Sequence, residues 1–385
     1  MSVALWLLLS AAVIAFAWVV VLQLQGTISG VRTIRHARDQ RRQRTPLTMV
    51  VTSRHDLSDS LFRVTLADRK RRRLPPWLPG QYVTLLVDDD PSRPALRRAY
   101  SLARWSADAR EYELVIRQEP LGRVSRVLGT SLYAGSVIRL APPRGDFVPS
   151  PFSKRPLLLV AGGVGITPLR AMVDAIVPTG RQVALVHVAR TAEELVGVAG
   201  LRALQEAVDS FTYTPVVSRP NMAWPGMTGR PTAEQIAASF DVRDLPELDV
   251  YLCGPEPMMW SLREGLVAMG VNAERCHIES FGSAAASETV AAPHQLAVDG
   301  ATVVTWGGEP TLLHCLEQHG VAIERDCGGG SCGSCALRLC AGTVEHLREP
   351  EWQGDAGVIL ACCVRPRSDL NLALLDAPAA VTNMR

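Results

Sequence analysis

The sequence predicts a multidomain chain: an N-terminal transmembrane helix, an antiparallel β-barrel, a parallel α/β domain and a small C-terminal domain, in that order. Three observations predict it. The first 31 residues carry no charged side chain. The chain then passes from short runs set apart by turn residues to all-apolar runs without alternation. Finally, seven of the nine cysteines fall in the last 71 residues. A length of 385 residues suits two or three folded domains, at roughly 100 to 200 residues each. Forty Lys+Arg against 38 Asp+Glu, with 47% apolar residues, excludes bulk disorder and a positive field large enough to hold nucleic acid.

From Val3 to Leu22 only Ser10 is polar, which gives about 20 residues of apolar helix, the length of a bilayer core of ~30 Å. Arg32, Arg35, Arg38, Arg41, Arg42 and Arg44 follow, with Asp39 the only acid among them. This one-sided cluster sets the topology as single-pass, with the C-terminal domains in the cytoplasm. A cleaved signal peptide is the competing reading, on the small-x-small Ala15-Phe16-Ala17. Against it, there is no basic segment before the apolar run, the run continues from Trp18 to Leu22, and the arginines would resist translocation. Residues 1–45 are expected to be the anchor and its basic collar, and a single span excludes a channel or transporter.

Residues 46–150 read as β-rich, with runs at Leu47–Thr52, Leu61–Leu66, Tyr82–Val87 and Tyr112–Ile116 broken by turns such as Pro79-Gly80. Short runs of this kind suit a small antiparallel barrel. The pattern changes at Pro156. Leu157–Val160, Val183–Val188 and Asp249–Leu252 are apolar runs of strands buried on both faces of a parallel sheet. A helical stretch, Ala192 to Val208, lies between two of them, so residues 151–281 are expected to be α/β. Residues 282–294, small and Ala/Ser-rich, read as a linker, and 295–385 hold the cysteines.

Cys327-Gly-Gly-Gly-Ser-Cys332-Gly-Ser-Cys335, then 26 residues, then Cys362, gives C-x4-C-x2-C…C, the plant-type [2Fe-2S] spacing. A cluster needs four converging thiolates and backbone N–H groups turned toward its sulfurs, which the glycines of this loop permit. Zinc would call for a second C-x2-C or a His pair, and neither follows Cys335. Cys363 is the alternative to Cys362. Cys315 and Cys340, with apolar neighbours, are expected in the core.

Four further motifs precede this cysteine loop. Arg98-Ala99-Tyr100-Ser101, expected between strands of the barrel, offers a cation for a phosphate, an aromatic plane and a hydroxyl. Gly122-Arg123-Val124-Ser125 adds backbone N–H groups, a second hydroxyl and a second cation, suited to a phosphate. Ala161-Gly162-Gly163-Val164-Gly165-Ile166-Thr167-Pro168 follows a buried strand, with Thr167 expected as N-cap and Pro168 at the first helical position. Its glycines therefore stand where a pyrophosphate meets a helix N-terminus. Cys253-Gly254-Pro255-Glu256-Pro257-Met258-Met259 follows the last buried strand, at the edge of a parallel sheet where ligands bind.

In this order the motifs resemble the phthalate dioxygenase reductase group of the ferredoxin-NADP reductase superfamily, over residues 46–385. The resemblance implies a flavin-binding barrel, a nicotinamide-binding α/β domain and a C-terminal β-grasp ferredoxin domain. It implies NADH-dependent electron transfer, with hydride passing from nicotinamide to flavin and single electrons onward through one [2Fe-2S] cluster held by Cys327, Cys332, Cys335 and Cys362. Carried over by motif, Arg98 holds the flavin phosphate, Ala99, Tyr100 and Ser101 lie along the isoalloxazine, and Gly122 to Ser125 take the phosphate end. Gly162, Gly163 and Cys253 to Pro255 cradle the nicotinamide nucleotide. Val115, Arg117, Gly165, Pro168 and Met258 are counted among the cofactor contacts, and Ser101, Thr167 and Cys253 stand around the reacting atoms.

FMN is the implied flavin, with FAD the alternative, since Pro143-Arg144-Gly145-Asp146-Phe147 resembles the FAD-binding relatives and the loop at Gly122 has fewer glycines than is usual for the group. NADH is preferred to NADPH: Arg190-Thr191 suit a 2′-phosphate, while Glu193 and Glu194 oppose one. The implied partner is a terminal oxygenase of Rieske type. The anchor adds an integral membrane diiron hydroxylase or desaturase as an alternative, and a membrane redox sensor without turnover is the reading from another class.

Overall fold

The computed structural model describes residues 46–375, except 88–95, 120–122, 239, 241, 280, 282–292, 301, 322, 324–327, 331–332, 348–349, 351 and 353. The expected anchor and collar, most of the linker, Gly122, Cys327 and Cys332 lie outside the described residues. Among the described residues no helix is long and apolar enough to cross a membrane.

The first sheet comprises β1 (Leu47–Ser58), β2 (Leu61–Asp68), β3 (Tyr82–Val87), β4 (Leu96–Ser101), β5 (Glu111–Arg117) and β6 (Val137–Arg144), in the order β4-β3-β6-β1-β2-β5. The end strands β4 and β5 approach one another, so the sheet curls into a barrel. Alternation along β2 turns Val64 and Leu66 inward, while β3 is buried throughout because helix α1 (Arg123–Ser131) packs against β3 and β4. Arg98-Ala99-Tyr100-Ser101 is not between strands as expected: it is the end of β4, paired with Tyr82–Leu85 of β3. The Arg and Tyr supply the side-chain bulk that a pleated, half-buried surface favours.

The second sheet is parallel in its printed pairings and ordered β10-β9-β8-β7-β11-β12. Its strands are β7 (Leu157–Gly162), β8 (Val183–Ala189), β9 (Phe211–Val217), β10 (Met227–Thr228), β11 (Asp249–Cys253) and β12 (Cys276–Glu279). Helices α2 (Ile166–Ile176), α3 (Val198–Ala207), α4 (Ala233–Ala237) and α5 (Glu256–Ala268) accompany it. Leu157 and Leu159 pack with Leu169 and Val173 of α2, and Leu158 and Val160 pack with Ile236, Leu262 and Leu266 of α4 and α5. Successive residues of β7 thus enter two different cores, which is why the run is apolar without alternation. The Arg181 guanidinium donates to Asp249 Oδ2 at 2.6 Å, tying the entry to β8 to the start of β11.

Two helix readings need correction. Ala192 to Val208 is not one helix. A 3-10 turn at Ala192–Glu194 ends, Gly197 takes φ +74°, and α3 begins only at Val198, because a left-handed residue interrupts a right-handed helix. Thr167 is not the N-cap either. A 3-10 turn, Gly163–Gly165, runs directly into α2, so Gly165 is the cap and Thr167 and Pro168 are the second and third helical residues. The Thr167 hydroxyl donates back to the Val164 carbonyl at 2.9 Å instead.

The third sheet is ordered β14-β13-β19-β15-β17, from β13 (His294–Val298), β14 (Thr302–Trp306), β15 (Ala336–Ala341), β17 (Val358–Leu360) and β19 (Leu370–Leu374). β16 (Val344–His346) and β18 (Val364–Pro366) form a separate pair. Helix α6 (Leu312–Gln318) packs over it, and the parallel pairing of β13 with β19 marks a β-grasp arrangement. Cys315 is buried there as expected. Cys340 is exposed, because the register of β15 against β19 shifts between Leu339 and Ala341 and the irregularity turns the side chain outward.

The barrel and the α/β module share a seam. Val164 and Val196 pack against Leu61, Ala103 and Val115. Arg104 donates to Asp174 Oδ2 at 2.8 Å, and Arg170 donates to the other oxygen of the same carboxylate at 3.1 Å.

Candidate functional site: two nucleotide loops and a thiol cluster

The Gly-Gly-x-Gly turn and the Cys-Gly-Pro loop, about 90 residues apart in sequence, meet backbone to backbone at the ends of β7 and β11. A Cβ on Gly162 would stand 2.5 Å from Pro255 Cδ and 3.4 Å from Met258 Cε, and one on Gly254 2.7 Å from Gly162 Cα. One on Gly165 would enter the Cys253 carbonyl. Gly163 holds φ +56°, in the left-handed region that L side chains avoid. Here the sheet order passes from β7 to β8 on one side and to β11 on the other, the switch point at which doubly wound sheets bind ligands. The absence of side chains leaves a cradle of N–H groups at the start of α2, suited to a pyrophosphate.

Cys253 is fully buried between Ala161 and Glu279 in register. Burial, reinforced by the Glu279 charge, pushes its thiol well above the ordinary range, so the sulfur is a neutral, close-packed group and no nucleophile. Glu279, buried at the end of β12, is a residue that sequence reasoning missed. The available signal was an acid closing the run Cys276-His277-Ile278, where a parallel strand delivers its side chain to the ligand edge. His187 on β8 is a second: it is 0% exposed, and its Nδ1 lies 3.5 Å from the Tyr213 hydroxyl.

On the barrel side, Ser101 is 5% exposed and its Oγ has no hydrogen-bond partner among the described residues. A buried hydroxyl without a partner costs roughly 1–3 kcal/mol, and a flavin ring edge at this position supplies one. Tyr100 is pushed up to about 12, chiefly by burial, so it remains a neutral phenol able to stack. Ser125, in the first turn of α1, accepts a hydrogen bond from the Glu119 N–H at 3.0 Å, and Val124 beside it is buried. These groups fit a flavin. Val115 and Arg117 are placed differently from the other barrel residues: Val115 packs in the seam, and Arg117 reaches across it to Glu194.

In the third module Cys335 and Cys362 are buried, Cys335 following the glycine loop and Cys362 in the 3-10 turn Ala361–Cys363 after β17. Gly328, Gly330 and Gly333 have φ +67°, +92° and +72°. A Cβ on Gly330 would sit 2.6 Å from Cys363 Sγ, and one on Gly333 2.5 Å from Trp352 Nε1. Cys363 Sγ is 3.6 Å from Cys362 Sγ. Glycines packed this closely against Cys363 and Trp352 beside buried thiols fit a cluster that needs close N–H donors around sulfur.

A flavin barrel, a doubly wound nucleotide domain and a β-grasp thiol-cluster domain in one chain define a flavin-dependent reductase that carries its own ferredoxin. Residues 48–148 match the oxidoreductase FAD-binding domain, 159–264 the oxidoreductase NAD-binding domain and 296–367 the 2Fe-2S iron-sulfur cluster binding domain. The chain is 30% identical over 312 residues to the ferredoxin reductase component of 3-ketosteroid-9-alpha-monooxygenase from Rhodococcus rhodochrous, covering 76% of this chain and 86% of that one. It is 29% identical over 317 residues to the glycine betaine monooxygenase reductase subunit of Chromohalobacter salexigens, covering 75% of this chain and 85% of that one. Its fold matches that of phthalate dioxygenase reductase with a TM-score of 0.63 at 24% identity, over 86% of this chain and 98% of that one. The chain belongs to the phthalate dioxygenase reductase-like family of oxygenase reductase components. It is an NAD(P)H-dependent oxidoreductase whose cofactors are a flavin, a pyridine nucleotide and one [2Fe-2S] cluster.

Proposed function

We propose that this chain is a membrane-anchored, NADH-dependent reductase, with its redox modules at 46–150, 151–281 and 295–385 in the cytoplasm, serving a Rieske-type terminal oxygenase. The observation that carries the reading is the meeting of Gly162 with Gly254 and Pro255 at the switch point, beside a seam shared with the barrel that presents Ser101. The apolar run Val3–Leu22 and its arginine collar support the anchor.

When bound, the flavin accepts two electrons from the nicotinamide and passes them on one at a time, and that conversion is cofactor chemistry. The protein positions. Tyr100 and Ser101 hold the flavin ring, and Arg98, Arg123 and Ser125 its phosphate. Arg117 and the Gly162–Gly163 turn take the nucleotide pyrophosphate. Cys253, packed and neutral, fixes the floor under the nicotinamide, with Glu279 next to it. Cys327, Cys332, Cys335 and Cys362 hold the cluster, while Cys363 packs against Gly330. We assign FAD as the flavin, on the match of the barrel to an FAD-binding model and on Pro143 to Phe147.

The test is steady-state reduction of cytochrome c by the purified full-length protein with NADH or NADPH, together with the mass of the released flavin. Rapid turnover with NADH is expected. A protein that binds flavin and does not turn over is a sensor, and a preference for NADPH rejects the nucleotide assignment. Capture of the oxygenase through the anchor follows, and recovery of a membrane diiron enzyme overturns the Rieske assignment.

A further inference from the structure

Arg117, at the end of β5, extends from the barrel across the seam, and its Nη2 lies 3.0 Å from Glu194 Oε2 in the 3-10 turn after β8. The two side chains are only 17% and 16% exposed, so little water screens the pair and the charge-assisted bond is strong. The same Nη2 stands 3.5 Å from where a Cβ of Gly163 would lie. The guanidinium therefore lies within van der Waals reach of the turn, whose N–H groups at the start of α2 suit a pyrophosphate.

Beside this turn the Arg117 guanidinium is already engaged by the Glu194 carboxylate. Both the carboxylate and the phosphate ask for the same planar fork of donors. Glu194 has a way out. Its turn is followed by Gly197 at φ +74°, and the neighbouring Glu193 is exposed, so release carries the carboxylate toward solvent. The Gly163 turn is fixed by its backbone contacts. Arg117 is thus the group that changes partner.

We propose that Glu194 is a built-in competitor of the nucleotide phosphate for Arg117, so that it weakens pyridine nucleotide binding and returns to Arg117 as the oxidised nucleotide leaves. This rests on the reading of Arg117 as a pyrophosphate contact. This competition acts on affinity and release, and on NADH and NADPH alike, whereas repulsion of a 2′-phosphate acts on NADPH alone.

The experiment is calorimetric titration of the oxidised full-length holoprotein with ADP-ribose, which carries the pyrophosphate without the reacting ring. Glu194→Gln is expected to bind about three- to tenfold more tightly than the wild type, and Arg117→Gln at least about tenfold more weakly. In the Arg117→Gln background, Glu194→Gln is expected to give no further gain. Unchanged or weaker binding by the single Glu194→Gln variant overturns the proposal. So does an equal gain in both backgrounds, which marks direct repulsion of the ligand. Wild-type affinity in Arg117→Gln instead overturns the reading of Arg117 itself. If Arg117→Gln loses its flavin absorbance, Arg117→Lys replaces it; intermediate affinity with a reduced gain from Glu194→Gln supports the exchange, and a full gain overturns it.

Discussion

Ser101 shows how one atom can be built for a ligand. Its Oγ is buried without a partner among the described residues, on a strand whose preceding residue is a neutral phenol, and a ligand atom that bonds it offsets the cost of burying it. Ser101→Ala is expected to keep the flavin, because Arg98, Tyr100 and the α1 phosphate end remain, and to slow its reduction by NADH roughly tenfold, the loss of about one net hydrogen bond. Stopped-flow absorbance of the flavin reads this; an unchanged rate removes Ser101 from the reacting edge. His187 is a contrasting residue, buried with no role that its sequence context announced. Burial lowers its pKa from the ordinary 6.5 to about 4. Between those values the unfolded chain holds a proton that the folded chain excludes, so stability rises with pH through this window and is lost as pH falls from 6.5 toward 4. The dependence amounts to something on the order of 3 kcal/mol. In urea unfolding at pH 7 and pH 5, His187→Phe is expected to show a shallower loss than the wild type.

At the scale of elements, strand type was legible because each strand records how many of its faces are buried. Leu157–Val160 has no polar residue since each face enters a different core, and Leu61–Leu66 alternates since one face is wet. Helix starts were less legible. Thr167 followed by Pro168 reads as a cap and first turn, but the glycines before them close a 3-10 turn that moves the start back to Ile166. Turn geometry of this kind depends on packing against Cys253, a contact made from far along the chain. The pairing of Gly162 with Gly254 was illegible for the same reason, although each motif was legible alone. Glu279 escaped notice because one acid at a strand end is a weak signal, and Glu194, though read as an acid near a 2′-phosphate, was not linked to Arg117 because that partner comes from another module. Cys340 was misread because a register irregularity leaves no mark in composition.

Over the whole molecule, function depends on the separation of two tasks. The barrel and the α/β module meet in a seam, whereas the described thiols of the cysteine motif, Cys335 and Cys362, belong to a module with a sheet of its own. Cys332→Ser is therefore expected to abolish NADH-driven reduction of cytochrome c while NADH still bleaches the bound flavin at close to the wild-type rate. Spectra at the flavin band and at the cytochrome band separate the two, and loss of flavin bleaching with flavin still bound contradicts this order of transfer. The third sheet has one further consequence. Its central pair joins β13 to β19, and Cys327, Cys332, Cys335 and Cys362 all lie between these strands in sequence. In order of synthesis, every one of those thiols is made before the strand that completes their sheet. The sheet that frames the thiols therefore closes only when its last strand is made, and assembly of the whole module waits on its C-terminal end.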